Sequence, residues 1–501
     1  MLPKLNKEDY ARFGLEFLAK EESYADCYFE RFIIPELRQL QSAADAEGIS
    51  ILFFKGYIEK YDTYKPLHLN REQCDVDLLV SLEDVWALCR ICSSFGYVSS
   101  SGALTEEWVN ASVSDLNRHH LPVIHKSLLN DALAIHIEIH VALTPQWNRM
   151  DDRSAYVRSI LRHKCVPNEA LGLYGMCLSD RLIFSFLYFT NDFLADLSTF
   201  YYCPDNLLFH CKTLADAYLI YKKYARSIDV SRVMERIHEF GLEYCALFSV
   251  RILQNLFDSE ALNEVLAQLP DASIDEARAN GLSFIDKILY SAYLSAQKMA
   301  ESGNVPFYKQ VIANCLSMNE TLRALKGKRA YFHLKGLDGA PAYFIWDDSG
   351  ITLSIEIPKK ELQYWREDIR CYDGLNLRIY NPDYDVRLDN AVRNIFVCFR
   401  QSEQQETSAD VTFNGSDPAL RGTEPAKDIK AALLRSGKAH QVLVTVPWSV
   451  QNLNPSACAY IGFECTLCLY DGTVPTLFYW SNGAGLHHNP AKFGRVSLVN
   501  A

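Results

Sequence analysis

The chain has 501 residues, 49% of them hydrophobic and 22% charged, with a net charge of −12. This length exceeds a single core and predicts about two to four domains. The acidic balance argues against a broad nucleic-acid-binding face, so no nucleic-acid partner is expected.

The opening MLPKLNKEDYARFGLEF has no apolar signal core, and the fifteen cysteines are scattered. A cytoplasmic location with reduced thiols is therefore expected. Residues 1–150 alternate helical stretches with short strand-like runs: ISILFFKG, VDLLVS, LPVIHKS and LAIHIEIHVAL. Such alternation predicts an α/β unit. Ser81 to Asp84 has the form of a capping box before the helix VWALCRICSSFGY, which Gly96 is placed to stop. Residues 151–328 are expected to be helical, with apolar repeats at three and four in DRLIFSFLYF, LADAYLIYKKY and SFIDKILYSAYLSAQKM. The apolar stretch Leu182 to Leu197 carries Asn191, Asp192 and Asp196. It is too short and polar to span a bilayer, so it reads as a buried helix and no membrane partner is expected.

From residue 329 to 501 the pattern changes to short alternating strands, among them PAYFIWD, ITLSIEIP, LNLRIY, QVLVTVPW and FGRVSLV. These predict an antiparallel β-sandwich. The polar stretch Gln401 to His440 is expected to be a long loop with a short helix at Asp428–Leu434. The fold class expected overall is a multidomain α+β chain with three domains, 1–150, 151–328 and 329–501.

Asp75 and Asp77 flank Val76 just before an apolar strand. Residues two apart on a strand share a face, so the two carboxylates would project together and need a cation between them. Mg²⁺ (or Mn²⁺) suits carboxylate and phosphate oxygens. In LAIHIEIHVAL the alternation puts His136, Glu138 and His140 on one face and three isoleucines on the other, so Glu138 is the candidate third acid. Lys55 and Gly56 follow the strand ILFF, where a glycine turn and a helix start would suit a phosphate; Arg71 is placed to reach the same site. By itself Asp-x-Asp is common, usually as a solvated strand end.

The ordered motifs FFKG, Arg-x-x-x-Asp-x-Asp-Leu-Leu-Val, Phe-Gly-Tyr, HHLPVIH and IEIH resemble the family called uncharacterised nucleotidyltransferase, within the DNA polymerase β-like superfamily. The resemblance covers roughly residues 30–225. It implies a small mixed sheet with flanking helices, a nucleoside triphosphate as donor, and metal held by Asp75, Asp77 and Glu138. The superfamily's usual Gly-Ser turn is Lys-Gly here. His119 and His120 match a family His pair and would contact phosphate or bond to nearby backbone. His136 and His140 are candidates for supporting the metal carboxylates, and Asp216 matches a helical Asp. The four histidines 119, 120, 136 and 140 fit no usual zinc spacing.

The strand series from about 330 onward is similar to the family 9 carbohydrate-binding module. That similarity implies a sugar ligand stacked on aromatic faces, with Trp346, Trp365 and Trp480 as candidate platforms and Trp448 as a corner residue. Three functions follow as alternatives. The first is transfer of a nucleoside monophosphate to an acceptor hydroxyl, the acceptor being a sugar, a small molecule, a peptide or a protein. The second is a catalytically silent fold serving as a carbohydrate-binding or scaffold protein. The third is metal-dependent hydrolysis on the His-rich face.

Overall fold

The computed structural model describes residues 24–67, 69, 71, 75–114, 119–128, 133–143, 153–199, 212–269, 282–297, 307–337, 341–359, 361–363, 373–382, 392–401, 407–414, 424–425, 428–436, 439–451, 460–470, 475–481 and 493–500. It forms two compact units. The first comprises Met1–Leu194 with Leu208–Asp271, and the second Ala195–Leu207 with Ala272–Ala501. The helices that the sequence groups as one 151–328 domain are thus divided between the two units.

In the first unit, α1 (Tyr24–Ala46) precedes β1 (Ile51–Phe54), and a single turn, α2 (Gly56–Glu59), runs on as a π-helix over Lys60–Tyr64. Next come β2 (Val76–Val80), α3 (Val85–Ser94), β3 (Val98–Ser99), α4 (Glu106–Ser114), β4 (Ile124–Leu128) and β5 (Leu133–His140). The sheet order is β1-β2-β5-β4-β3, with β2 and β5 parallel and the other pairs antiparallel. This is the small mixed sheet expected. The Ser81–Asp84 pattern closes the turn before α3 through Ser81 Oγ, which donates to Asp84 Oδ2 at 2.8 Å, and Gly96 (φ 88°) ends the helix.

Period-2 patterning decides which face of the sheet is buried. Ile51 and Phe53, Val76, Leu78 and Val80, and Ile135, Ile137 and Ile139 pack against Leu37 and Leu40 of α1 and Leu88 and Cys92 of α3. The opposite face carries Phe54, Asp77, Glu138 and His140. The unit's further helices include α5 (Arg153–Arg162), α6 (Leu178–Thr199), α7 (Lys212–Tyr224), α8 (Val230–Glu239) and α9 (Glu243–Leu256), of which α6 and α7 face this side of the sheet. The Leu182–Leu197 stretch lies within α6 and is buried as far as Leu194 except at Tyr188 and Asp192, which are half-buried. Among the described residues no helix is long and apolar enough to cross a membrane.

The second unit contains α10 (Phe284–Gln297), α11 (Phe307–Met318) and two sheets. Its strands are β6 (Thr321–Leu325), β7 (Ala330–Phe332), β8 (Ala342–Trp346), β9 (Gly350–Ile357), β10 (Gly374–Tyr380), β11 (Val392–Gln401), β12 (Thr407–Asn414), β13 (Glu424–Pro425), β14 (Lys430–Ser436), β15 (Ala439–Pro447), β16 (Tyr460–Tyr470), β17 (Pro475–Tyr479) and β18 (Gly494–Val499). One sheet runs β13-β12-β11-β10-β16-β18-β6 with β17 beside β16, and the other runs β14-β15-β9-β8-β7. Phe344, Leu353, Ile355, Leu377, Val397 and Phe463 fill the space between them.

Two details of the sandwich differ from expectation. The expected sandwich is present, antiparallel in its described pairings except where β6 joins β18 in parallel. Over its described residues the stretch 401–440 is not a loop with a helix: it contributes β12, β13 and β14, and Asp428–Leu434 lies largely in β14. There Ile429 and Leu433 are buried while Lys430 and Leu434 are exposed, which is strand alternation supported by β15 next to it.

Trp346 and Trp480, expected as stacking platforms, are only 2% and 4% exposed. Trp346 donates its indole N–H to the Ala324 carbonyl at 2.8 Å, and Trp480 packs on Phe463. Neither offers a face to a ligand; both are core residues, as is Trp448. Trp365 lies outside the described residues. Replacing Trp346 with Ala should therefore destabilise the protein by about 3–5 kcal/mol, read as a lower urea midpoint.

Candidate active site

The site is built by strand register. Phe54 of β1 stands opposite Asp77 of β2, and Asp77 stands beside Glu138 of β5 in the parallel pair. His140, two residues beyond Glu138, shares its face. Phe54, Asp77 and Glu138 line a cleft of about 570 Å³ together with Lys55, Asp75, His119, His120 and the inward side of α6 and α7, and His140 is buried behind them.

Asp77 is the centre of the arrangement. Its Oδ1 accepts from Lys55 Nζ at 2.7 Å and lies 3.0 Å from His140 Nε2. His140 Nε2 is also 3.5 Å from Glu138 Oε2. Burial alone would raise the Asp77 carboxyl, but Lys55 and His140 hold it well below the ordinary carboxylate range. Glu138 is lowered chiefly by its hydrogen bond to His140. Asp75, just ahead of β2, behaves oppositely: burial and then the charges of Asp77 and Glu138 push its carboxyl up.

One ligand atom each from Asp77, Glu138 and His140 lies within 4.8 Å of the others. The tight group thus contains His140, whereas Asp75 stands on the lining of the same cleft. His140 is fully buried, and its Nδ1 has no hydrogen-bond partner among the described residues. Two carboxylates, an imidazole and a third carboxyl resisting ionisation form a donor set that fits a divalent cation.

Lys55 has φ 55° and ψ −134°, so the left-handed backbone falls on the lysine and not on Gly56, which opens α2. The expected glycine turn before a helix N-terminus takes a different form: α2 is one turn long and passes directly into the π-helix. Lys55 is a partner of Asp77, and its ammonium also lies 4.7 Å from the Tyr188 ring centroid.

Arg71 and Asp216 both line the cleft, joined in a buried two-point ion pair at 2.9 and 3.0 Å, with Tyr64 Oη donating to Asp216 at 2.6 Å. A second network fixes the turn after β1. Arg181 of α6 holds Glu59 at 2.9 and 2.6 Å and Asp62 at 2.7 Å, while Lys223 and Tyr224 of α7 also reach Asp62. Together these pairs tie the Lys55 turn to the two helices roofing the cleft.

His119, His120 and His140 form a ring cluster with centroids 4.6–5.2 Å apart. Burial and the neighbouring His140 push His119 down to about 2, which keeps it a neutral ring. His120 bonds through Nδ1 to the Leu121 carbonyl at 2.7 Å. His136 is exposed and stacks on His125 at 6.2 Å, so it does not join the Asp77 group. Sequence reasoning missed the α6 contribution, Arg181, Ser185, Tyr188 and Asp192, along with Lys212 of α7. The α6 residues recur at intervals of four, three and four, a polar stripe on an apolar helix that could have revealed them.

Residues 28–258 match the family described as uncharacterised nucleotidyltransferase. The matched region is a little under half of the chain. The match includes every residue of the cleft. Among curated proteins none matches the chain. Two solved structures resemble its C-terminal part: a family 9 carbohydrate-binding module from Caldicellulosiruptor kristjanssonii in complex with cellotriose, and one in complex with glucose. Their identities are 11% and 12% and their TM-scores 0.27 and 0.26. Each alignment covers 36% of this chain and 95% or 97% of the other. The sandwich described above stands on its own strand pairing.

The two kinds of carboxylate in the region that matches this family should separate on substitution. Asp216→Ala strands a buried guanidinium and should cost about 3–5 kcal/mol in urea unfolding. In chelator-treated buffer at neutral pH, Asp75→Asn should leave stability unchanged or raise it, because the amide removes a charge that its neighbours oppose.

Proposed function

We propose that the chain is a metal-dependent nucleotidyltransferase that moves a nucleoside monophosphate from a nucleoside triphosphate to an acceptor hydroxyl, with pyrophosphate leaving as the α–β anhydride bond breaks. The observation carrying this reading is the Asp77–Glu138 register pair, with Asp75 and His140 beside it, opening on a cleft inside the region that matches the family. Asp75, Asp77 and Glu138 would hold Mg²⁺ or Mn²⁺, with His140 supporting or completing the set. A divalent cation held there would supply neutralisation of phosphate charge and favour ionisation of the attacking hydroxyl.

The chain's own groups do the positioning. His140 fixes the rotamers of Asp77 and Glu138 by reaching both. Lys55 and the neutral His119 and His120 line the cleft as donors for phosphate oxygens, and Lys212 adds charge from α7. Phe184 and Tyr188 present aromatic surface suited to a nucleobase. Arg71 and Arg181 are committed to Asp216 and to Glu59 with Asp62, so they hold the walls.

Calorimetric titration with ATP, GTP, CTP and UTP in the presence of Mg²⁺ tests this function. The expected result is saturable binding of at least one nucleotide, weakened by about tenfold or more in Asp75→Ala/Asp77→Ala. Binding of none of the four would contradict it.

A further inference from the structure

Asp77 already has a cation. Lys55 Nζ sits 2.7 Å from Asp77 Oδ1, with the lysine side chain 13% exposed and the aspartate 4%. The ammonium lies between the Phe54 and Tyr188 rings, at 5.2 and 4.7 Å, and feels the charge of Glu138 as well. No other described Lys or Arg forms an ion pair with Asp77. The backbone also bears a cost for this placement. Lys55 is one of two described non-glycine residues with positive φ, although Gly56 is next to it. A strained conformation persists only where its surroundings hold it, and here those are the Asp77 contact and the clamped turn that follows.

We infer that Lys55 is a built-in counter-ion competing with the divalent cation for Asp77, so that metal alone binds weakly and metal with a triphosphate binds well. This rests on the proposed function for the identity of the second ligand. A dication brought to Asp77 and Glu138 meets the ammonium at close range in a largely buried site, where like charges repel strongly. Metal binding must therefore expel the ammonium from Oδ1 or tolerate it nearby. A triphosphate in the cleft removes the conflict, because its oxygens give the displaced ammonium a new partner. Metal and nucleotide thus favour each other's binding through one side chain. The same residue keeps the carboxylates together before either ligand arrives.

The test is calorimetry with Mn²⁺ and with Mg²⁺, without nucleotide, on wild type, Lys55→Met and Lys55→Gly. Lys55→Gly also relieves the positive φ, so it remains informative if Lys55→Met fails to fold. Both variants should bind metal alone about tenfold or more tightly than wild type. With metal saturating, both should bind the triphosphate more weakly. Metal affinity that is unchanged or weaker in the folded variants, or no metal binding by any of the three proteins, would overturn the inference. Tighter metal binding in the variants, with no nucleotide binding by wild type, would uphold the counter-ion and contradict the transferase.

Discussion

The parallel pairing of β2 with β5 is the constraint on which the site depends. It sets Asp77 beside Glu138 and puts His140 one alternation further along the same face. A slip of one residue would turn Asp77 into the isoleucine-rich core and bring Leu78 to the cleft. The packing of Val76, Leu78, Ile137 and Ile139 under α1 and α3 therefore fixes the chemistry as firmly as it fixes the fold. The site's charges are balanced within the chain: Lys55 and His140 answer Asp77, His140 answers Glu138, and Asp75 is left opposed by its neighbours. That residual imbalance is what a divalent cation would relieve.

The cleft's other walls are held by ion pairs of a different character. Arg71 with Asp216, and Arg181 with Glu59 and Asp62, are buried, satisfied and linked to tyrosine hydroxyls. They join the turn after β1 to α6 and α7, and so position Lys55 at one side and Tyr188 at the other. Removing either partner would leave a buried charge, so these residues contribute architecture, whereas Asp75, Asp77 and Glu138 form the proposed binding surface.

Much of this was legible in the sequence where a short period specified it. The alternation in LAIHIEIHVAL identifies both faces of β5, and the Asp-x-Asp spacing before the apolar run Leu78-Leu79-Val80 marks the cleft's carboxylates. Other features needed the tertiary partner. Nothing local predicts that Lys55, with a glycine beside it, takes the positive φ; contact with Asp77 and the clamped α2 turn decide it. Arg71 looked free to meet phosphate because Asp216 is distant in sequence. Asp428–Leu434 has apolar residues spaced acceptably for a helix, and only pairing with β15 makes its alternation count. Trp346 and Trp480 looked like platforms because aromatic content does not distinguish a core from an exposed face; their burial between two sheets does.

The most direct test of the central claim is a crystal structure grown with Mn²⁺ and a non-hydrolysable nucleoside triphosphate analogue, read by the manganese anomalous signal. The account predicts a peak bonded to Asp77 and Glu138, with the triphosphate in the cleft beneath α6. A peak elsewhere, or an analogue bound away from the Asp77–Glu138 pair, would contradict it.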